Sequence, residues 1–196
     1  MAKDLHLITA TAIIYKKIPL NPPLKKGAEL DAELNYEKEG RKYLIIKRAP
    51  HEKVYPNKWT VPGGKLKFDD YVDSSKTTKD GWYFVVDKHL RREIKEECNL
   101  EVGELNYLLD LVFIRPDDIH VLTLSYFAEY KSGEVKLEED FTEYFWGTVE
   151  ELKDYDLIDG IYDEIKMADE ILSGKKREMG FLKNKKTGNA GEASIK

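Results

Sequence analysis

The sequence predicts an α/β (α+β) three-layer sandwich, a mixed β-sheet with one helix on one side and a C-terminal helix. Three observations lead there. Runs rich in β-branched residues at 7–15 and 43–47 read as buried strands. A charged helix with a single apolar stripe lies mid-chain, at 88–98. More strand-like segments follow it, ahead of a last amphipathic helix at 161–172.

In chain order, residues 7–15 (LITATAIIY) form the first strand and 43–47 (YLIIK) the second. Between them, residues 16–41 hold Pro19, Pro22, Pro23, Gly27 and Gly40 among many charges, a long exposed loop that elaborates the core. Trp59-Thr-Val-Pro-Gly-Gly64 reads as a short strand breaking into a turn. A polar stretch follows, and Asp87 is the expected N-cap of the helix over 88–98. Strands are expected over 107–115, 120–130 and 144–149, and Ile161, Ile165, Ala168 and Leu172 make the stripe of the last helix. One domain over 1–173 accounts for these elements, and the basic tail 174–196 is expected to be disordered.

The net charge of −5 is unevenly spread. The tail holds seven Lys or Arg against two Glu, so the rest of the chain is near −10. An acidic body argues against a stable nucleic-acid complex, which needs a basic face, and suits a site that collects cations. Cys98 is the only cysteine, which excludes an intrachain disulfide and points to a reducing, cytoplasmic setting. The apolar run near the N-terminus is far too short to span a bilayer, so no membrane partner is expected.

The chemistry is written in Leu90-Arg-Arg-Glu-Ile-Lys-Glu-Glu-Cys-Asn-Leu100. On a helix, Leu90, Ile94 and Cys98 fall within about 80° of one another and face the core, while Glu93, Glu96 and Glu97 share about 100° of a neighbouring face. Carboxylates at that spacing repel one another by a few tenths of a kcal/mol per pair. A divalent cation reverses the sign, because magnesium and manganese prefer hard oxygen ligands. Taken alone, the same pattern also describes a solvated face on which Arg92 pairs with Glu96 one turn on.

In context, the segment from Arg92 to Leu100 resembles the second half of the Nudix box, R-E-[apolar]-x-E-E-x-G-[apolar]. Trp59-Thr-Val-Pro-Gly-Gly-Lys65 resembles its lead-in and first half, and Glu143-Tyr-Phe-Trp146 with Glu150-Glu-Leu152 resembles the late segment that closes the domain. The chain departs from the pattern in three places. Gly64 and Arg92 are 28 positions apart where the family spacing is 14, an insertion that lies within 71–87. The first box Glu falls on Asp70 counting forward from Gly64 and on Phe84 counting backward from Arg92, and neither is Glu. Asn99 stands in place of Gly, where a left-handed backbone admits Asn as the next-best residue.

The resemblance implies a Nudix-like mixed sheet carrying a catalytic helix, and a hydrolase that cuts a pyrophosphate-type bond in a nucleoside diphosphate derivative with Mg2+ or Mn2+. Glu93, Glu96 and Glu97 become metal ligands together with the backbone carbonyl of Gly63. Glu93, Glu96, Arg92 and a late carboxylate form the catalytic set, with Glu143 favoured over Glu138 and Glu139. Arg92 orients a carboxylate. Lys65, Arg48 and Trp59 are expected to bind substrate, and Trp82 and Tyr83 offer further aromatic faces. Burial in the core is the competing role for Trp59, as solvation is for Lys65. Pro116, 16 residues past the box, is one position from a marker of ADP-ribose-cleaving members. His51, His89 and His120 show no metal spacing and are placed at the surface or core edge. The partner is a small-molecule nucleotide, with a homodimer possible by resemblance. Two alternatives stay open, a catalytically silent nucleotide sensor on the same fold and, ranked lower, an isomerase, which would need a reactive Cys outside the box.

Overall fold

The computed structural model describes residues 5–19, 40–115 and 117–175. The order is β1 (Leu7–Ile18), β2 (Gly40–Arg48), β3 (Trp59–Thr60), β4 (Gly63–Lys65), α1 (Val85–Cys98), β5 (Glu101–Val102), β6 (Asn106–Ile114), β7 (His120–Ser132), β8 (Phe141–Gly147) and α2 (Ile161–Leu172). Short 3-10 turns cover Phe68–Asp70 and Glu151–Asp154. Much of the loop expected over 16–41, Pro116, and nearly all of the tail lie outside the described residues.

β1 organises the sheet. One edge runs parallel to β7, from Leu7 opposite Val121 to Tyr15 opposite Glu129. Its other edge is shared by two antiparallel partners, β4 along the first half (Thr9 opposite Lys65) and β2 along the second (Tyr15 opposite Tyr43). β2 continues to β8 and β3, and β7 to β6 and β5.

Alternation along these strands feeds two cores. Ala10, Ala12, Ile14, Leu44 and Ile46 meet Leu90, Ile94, Cys98 and Leu100 of the α1 region. Ile13, Tyr15, Tyr43 and Ile45 meet Ile161, Ile165 and Ala168 of α2. The sheet is therefore covered on both faces, the three-layer arrangement expected. Each fully buried Leu or Ile contributes roughly 1.5–3 kcal/mol.

α2 has the expected bounds, held at its end by Arg41, which donates to the Leu172 carbonyl at 2.8 Å, and by Tyr43, whose hydroxyl donates to Asp169 at 2.7 Å. α1 starts earlier than expected, at Val85, with Phe84 and not Asp87 at its N-cap. Phe84 holds a left-handed backbone (φ 59°), an outlier for a bulky residue, while Asp87 sits inside the helix and accepts from Arg91 at 2.9 Å. The cause is the segment before it. The Trp82 ring lies 5.2 Å from that of Tyr71 and its Nε1 donates to the Ser74 carbonyl at 2.9 Å, so the chain enters the helix from a folded insertion. At the other end Asn99 is left-handed (φ 56°), as its place in the box predicts.

Candidate active site

Ladder bonds from Ala12 N–H to Pro62 O (2.9 Å) and Leu66 N–H to Ile8 O (3.0 Å) bracket the place where Gly63 lies opposite Thr11. In an antiparallel ladder such an intervening residue turns its backbone polar groups away from the partner strand. The N–H of Gly63 accordingly reaches the helix, donating to Glu97 Oε2 at 2.9 Å. A side chain at either glycine would meet a close neighbour. A Cβ on Gly63 would lie 2.2 Å from the Ala10 carbonyl oxygen, and one on Gly64 would lie 2.4 Å from Glu93 Oε2.

Across from the turn, α1 presents its carboxylates. Leu90, Ile94 and Cys98 are buried in the core, and the neighbouring face brings Glu93 and Glu97 to 8% exposure each, leaving Glu96 exposed. The Arg92 guanidinium gathers three acids. It donates to Glu96 Oε2 at 2.5 Å, to Glu93 Oε1 at 2.7 Å and to Asp70 Oδ1 at 2.6 Å. A planar fork of five fixed donors can serve several carboxylates at once. Asp70 is therefore the residue that meets the box arginine, whereas Phe84 is 76% exposed. His89, placed at the surface or core edge from sequence, lies inside this network at 1% exposure. Its Nε2 is 3.2 Å from the Gly64 carbonyl oxygen and its Nδ1 3.0 Å from Asp70 Oδ2.

The electrostatics follow from burial. Burial pushes the Glu97 carboxyl well above the usual range; Glu93 and Glu138 push the same way, and the Gly63 N–H and Arg48 pull against them. Glu138 is raised too, by burial and then by Asp140, Glu96 and Glu93. Burial alone would also raise Asp70, but the Lys67 N–H and the Arg92 guanidinium hold its carboxyl below the ordinary value. Burial first, and neighbouring acids second, raise Glu97 and Glu138, and a divalent cation would relieve that cost. The donors at hand, Glu93, Glu96, Glu97 and the Gly63 carbonyl, are the hard oxygens such an ion takes.

Other expected residues fall elsewhere. Glu143 pairs with Lys47 at 2.6 Å. It shares a face of β8 with Phe145, which turns to the second core, so the fold does not bring Glu143 to the box. The late carboxylate that does arrive is Glu138, whose N–H donates to the Glu97 carbonyl at 3.3 Å. Trp59 is 9% exposed, its ring edge-on to Tyr155 at 4.9 Å, so it packs in the core and offers no open face. Arg48 donates to the Val54 carbonyl at 2.9 Å and pairs with Glu52 while lending its charge to Glu97. Lys65 is exposed at the end of β4, and Tyr83 is exposed beside Phe84. His51, Glu52 and Asp140 also group their ligand atoms within 4.8 Å, more tightly than the box carboxylates, which Arg92 and Gly63 hold toward separate partners. That cluster is largely exposed and accounted for by its own ion pairs, His51 with Asp140 at 3.5 Å and Arg48 with Glu52. His51 and Glu52 are neighbours in sequence but Asp140 is distant, so no spacing announces the group.

No family model matches the chain. It is similar to the nucleoside triphosphatase NudI of Escherichia coli, 26% identical over 125 residues that span 59% of this chain and 79% of the relative. Among solved structures it resembles the MutT protein of Methanosarcina mazei, at 19% identity and a TM-score of 0.58, covering 88% of this chain and 99% of that one. It also resembles the NUDIX domain of Shewanella oneidensis NrtR complexed with ADP ribose, at 17% identity and a TM-score of 0.59, covering 87% and 91%. An Ap4A hydrolase of C. elegans matches at 15% identity and a TM-score of 0.57, covering 86% and 98%. The fold of these proteins is the fold of this chain.

Proposed function

We propose that this chain, a member of the Nudix hydrolase family and an enzyme of its pyrophosphohydrolase type, is a metal-dependent hydrolase that cleaves a pyrophosphate-type bond in a nucleoside diphosphate derivative. The observation that carries the reading is the meeting of the double-glycine turn with the three-glutamate face of α1, fastened by Gly63 N–H on Glu97 and by Arg92 on Glu93 and Glu96. The substrate classes to which it extends are those of its relatives, a nucleoside triphosphate, an ADP-ribose-like compound or a dinucleotide-type bridge.

Glu93, Glu96, Glu97 and the Gly63 carbonyl would hold magnesium or manganese, and the ion would supply neutralisation of phosphate oxygens and acidification of water. The chain's own groups do the rest. Arg92 fixes the directions of Glu93 and Glu96, and Asp70 fixes Arg92. Glu138, raised by burial and by its acidic neighbours, is the carboxylate suited to take a proton from the attacking water. Lys65, exposed just beyond the turn, would meet a phosphate. The similarity to nucleotide-handling proteins supports a small nucleotide as the partner. No helix among the described residues is long and apolar enough to cross a membrane.

The test is phosphate or nucleotide release from a panel of nucleoside triphosphates, nucleotide sugars and dinucleotides with Mg2+ or Mn2+, wild type beside Glu97→Gln. Turnover that disappears in the variant and with chelator is expected. Nucleotide binding without turnover of any member would replace the hydrolase with a sensor.

A further inference from the structure

We propose that His89 is a positioning residue of this site, holding the Gly63–Gly64 turn against the helix through its Nε2 hydrogen bond to the Gly64 carbonyl. The inference rests on the metal reading above.

The contacts are specific. The ring is 1% exposed, yet neither nitrogen faces apolar atoms alone. Nε2 lies 3.2 Å from the Gly64 carbonyl oxygen; a carbonyl only accepts, so Nε2 carries the hydrogen. Nδ1 lies 3.0 Å from Asp70 Oδ2 and 3.2 Å from Arg92 Nη2. A histidine that merely filled space would need neither contact.

The turn explains why such a clamp matters. Two consecutive glycines have no side chains to restrict them, with the β1 backbone crowding Gly63 and the Glu93 carboxylate crowding Gly64. Their order must come from hydrogen bonds. Glu97 takes the N–H on one side of the pair and His89 takes the C=O on the other. The Gly63 carbonyl, the backbone member of the proposed ligand set, lies between these two anchors.

The chain also has a reason to need it. Asp70 stands where the box pattern has Glu and is one methylene shorter. Its Oδ1 is taken by Arg92, and its Oδ2 accepts the Lys67 N–H at 2.7 Å. His89 lies three residues before Arg92, one helical turn away on the same face. Its ring closes the space between the aspartate and the turn, joining the two halves of the box that the insertion separates.

The experiment is binding of manganese alone, followed by loss of the free-ion EPR signal, with a melting curve for each protein. Wild type is compared with Glu97→Gln, His89→Ala, His89→Gln and His89→Asn. His89→Ala is expected to bind manganese about 10- to 100-fold more weakly. His89→Gln, whose terminal amide can still donate to Gly64, should recover most of the affinity. His89→Asn, whose shorter amide stops near Asp70, should not. If the alanine variant does not fold, the comparison of Gln with Asn decides alone. Equal affinities for those two, or an alanine variant that binds like wild type, overturn the proposal. If wild type binds no manganese, or Glu97→Gln binds as well as wild type, the metal reading itself fails and the role of His89 with it.

Discussion

The backbone N–H of Gly63 donates to the carboxylate of Glu97 at 2.9 Å, across 34 residues of sequence. That single bond ties the double-glycine turn to the helix that carries the acids, and neighbouring substitutions should separate its structural and chemical parts.

Gly63→Ala and Gly64→Ala should fail differently. A Cβ at Gly63 meets the backbone of β1, at the Ala10 oxygen and the Thr11 Cα, neither of which can yield without parting the strands. We expect a loss of about 3 kcal/mol in urea denaturation. A Cβ at Gly64 meets the end of the Glu93 side chain, which can swing aside. That variant should keep its stability within about 1 kcal/mol and lose turnover by about 100-fold. Similar unfolding midpoints for the two would contradict this division.

Glu97→Gln should abolish turnover and yet stabilise the protein in chelator. Burial, reinforced by Glu93 and Glu138, raises the Glu97 carboxyl, so its charged form burdens the fold at neutral pH. The amide keeps an acceptor for the Gly63 N–H without that charge. Wild type should gain stability with Mg2+ or Mn2+, about 2.7 kcal/mol at a hundredfold excess over Kd, and the variant should not. Equal metal-induced melting shifts would show that Glu97 holds no ion.

Glu164 offers a pH test away from the site. It is 6% exposed and accepts from the Ser125 hydroxyl at 2.6 Å; burial raises its carboxyl and the hydrogen bond opposes this only in part. Below the unfolded value of about 4.3, folded and unfolded chains are both protonated and the group is neutral to stability. As pH climbs from there through the raised folded value, the unfolded chain loses its proton first and stability falls. Glu164→Gln should therefore match wild type near pH 4 and melt higher at pH 8, by about 2–4 °C for each kcal/mol regained. Glu97 shifts with the same sign but is present in both proteins, so it cancels in the difference. A variant less stable than wild type at pH 8 would mean that the charged carboxylate is favoured there.

The insertion is a small folded unit, with Trp82 closed on Ser74 and Tyr71, that leaves Tyr83 and Phe84 at 64% and 76% exposure beside the start of α1. Deleting residues 72–83 should alter the order of preference across the substrate panel while the melting temperature holds. An unchanged profile would remove the insertion from substrate choice.

The sequence by itself determined what short-range periodicity can carry. Leu90, Ile94 and Cys98 repeat at the helical period and so put Glu93 and Glu97 at the edge of the core. Runs rich in β-branched residues at 7–15 and 43–47 made those strands, and the box context made Asn99 left-handed, as its φ of 56° shows. The tertiary structure decided whatever depends on register or on the path of an irregular segment. Counting from either end of the insertion offers Asp70 or Phe84 for Arg92, and only the folded path of 71–84 selects Asp70. Glu143 and Glu138 are equivalent as acids, but the pairing of β8 with β2 turns Glu143 toward Lys47, while the segment before β8 carries Glu138 along α1. His89 has no motif to mark it, because its partners are a backbone carbonyl 25 residues away and an aspartate beyond the insertion. Local patterns record which face of an element is buried, whereas the identity of the residue across the gap is fixed only when the sheet closes.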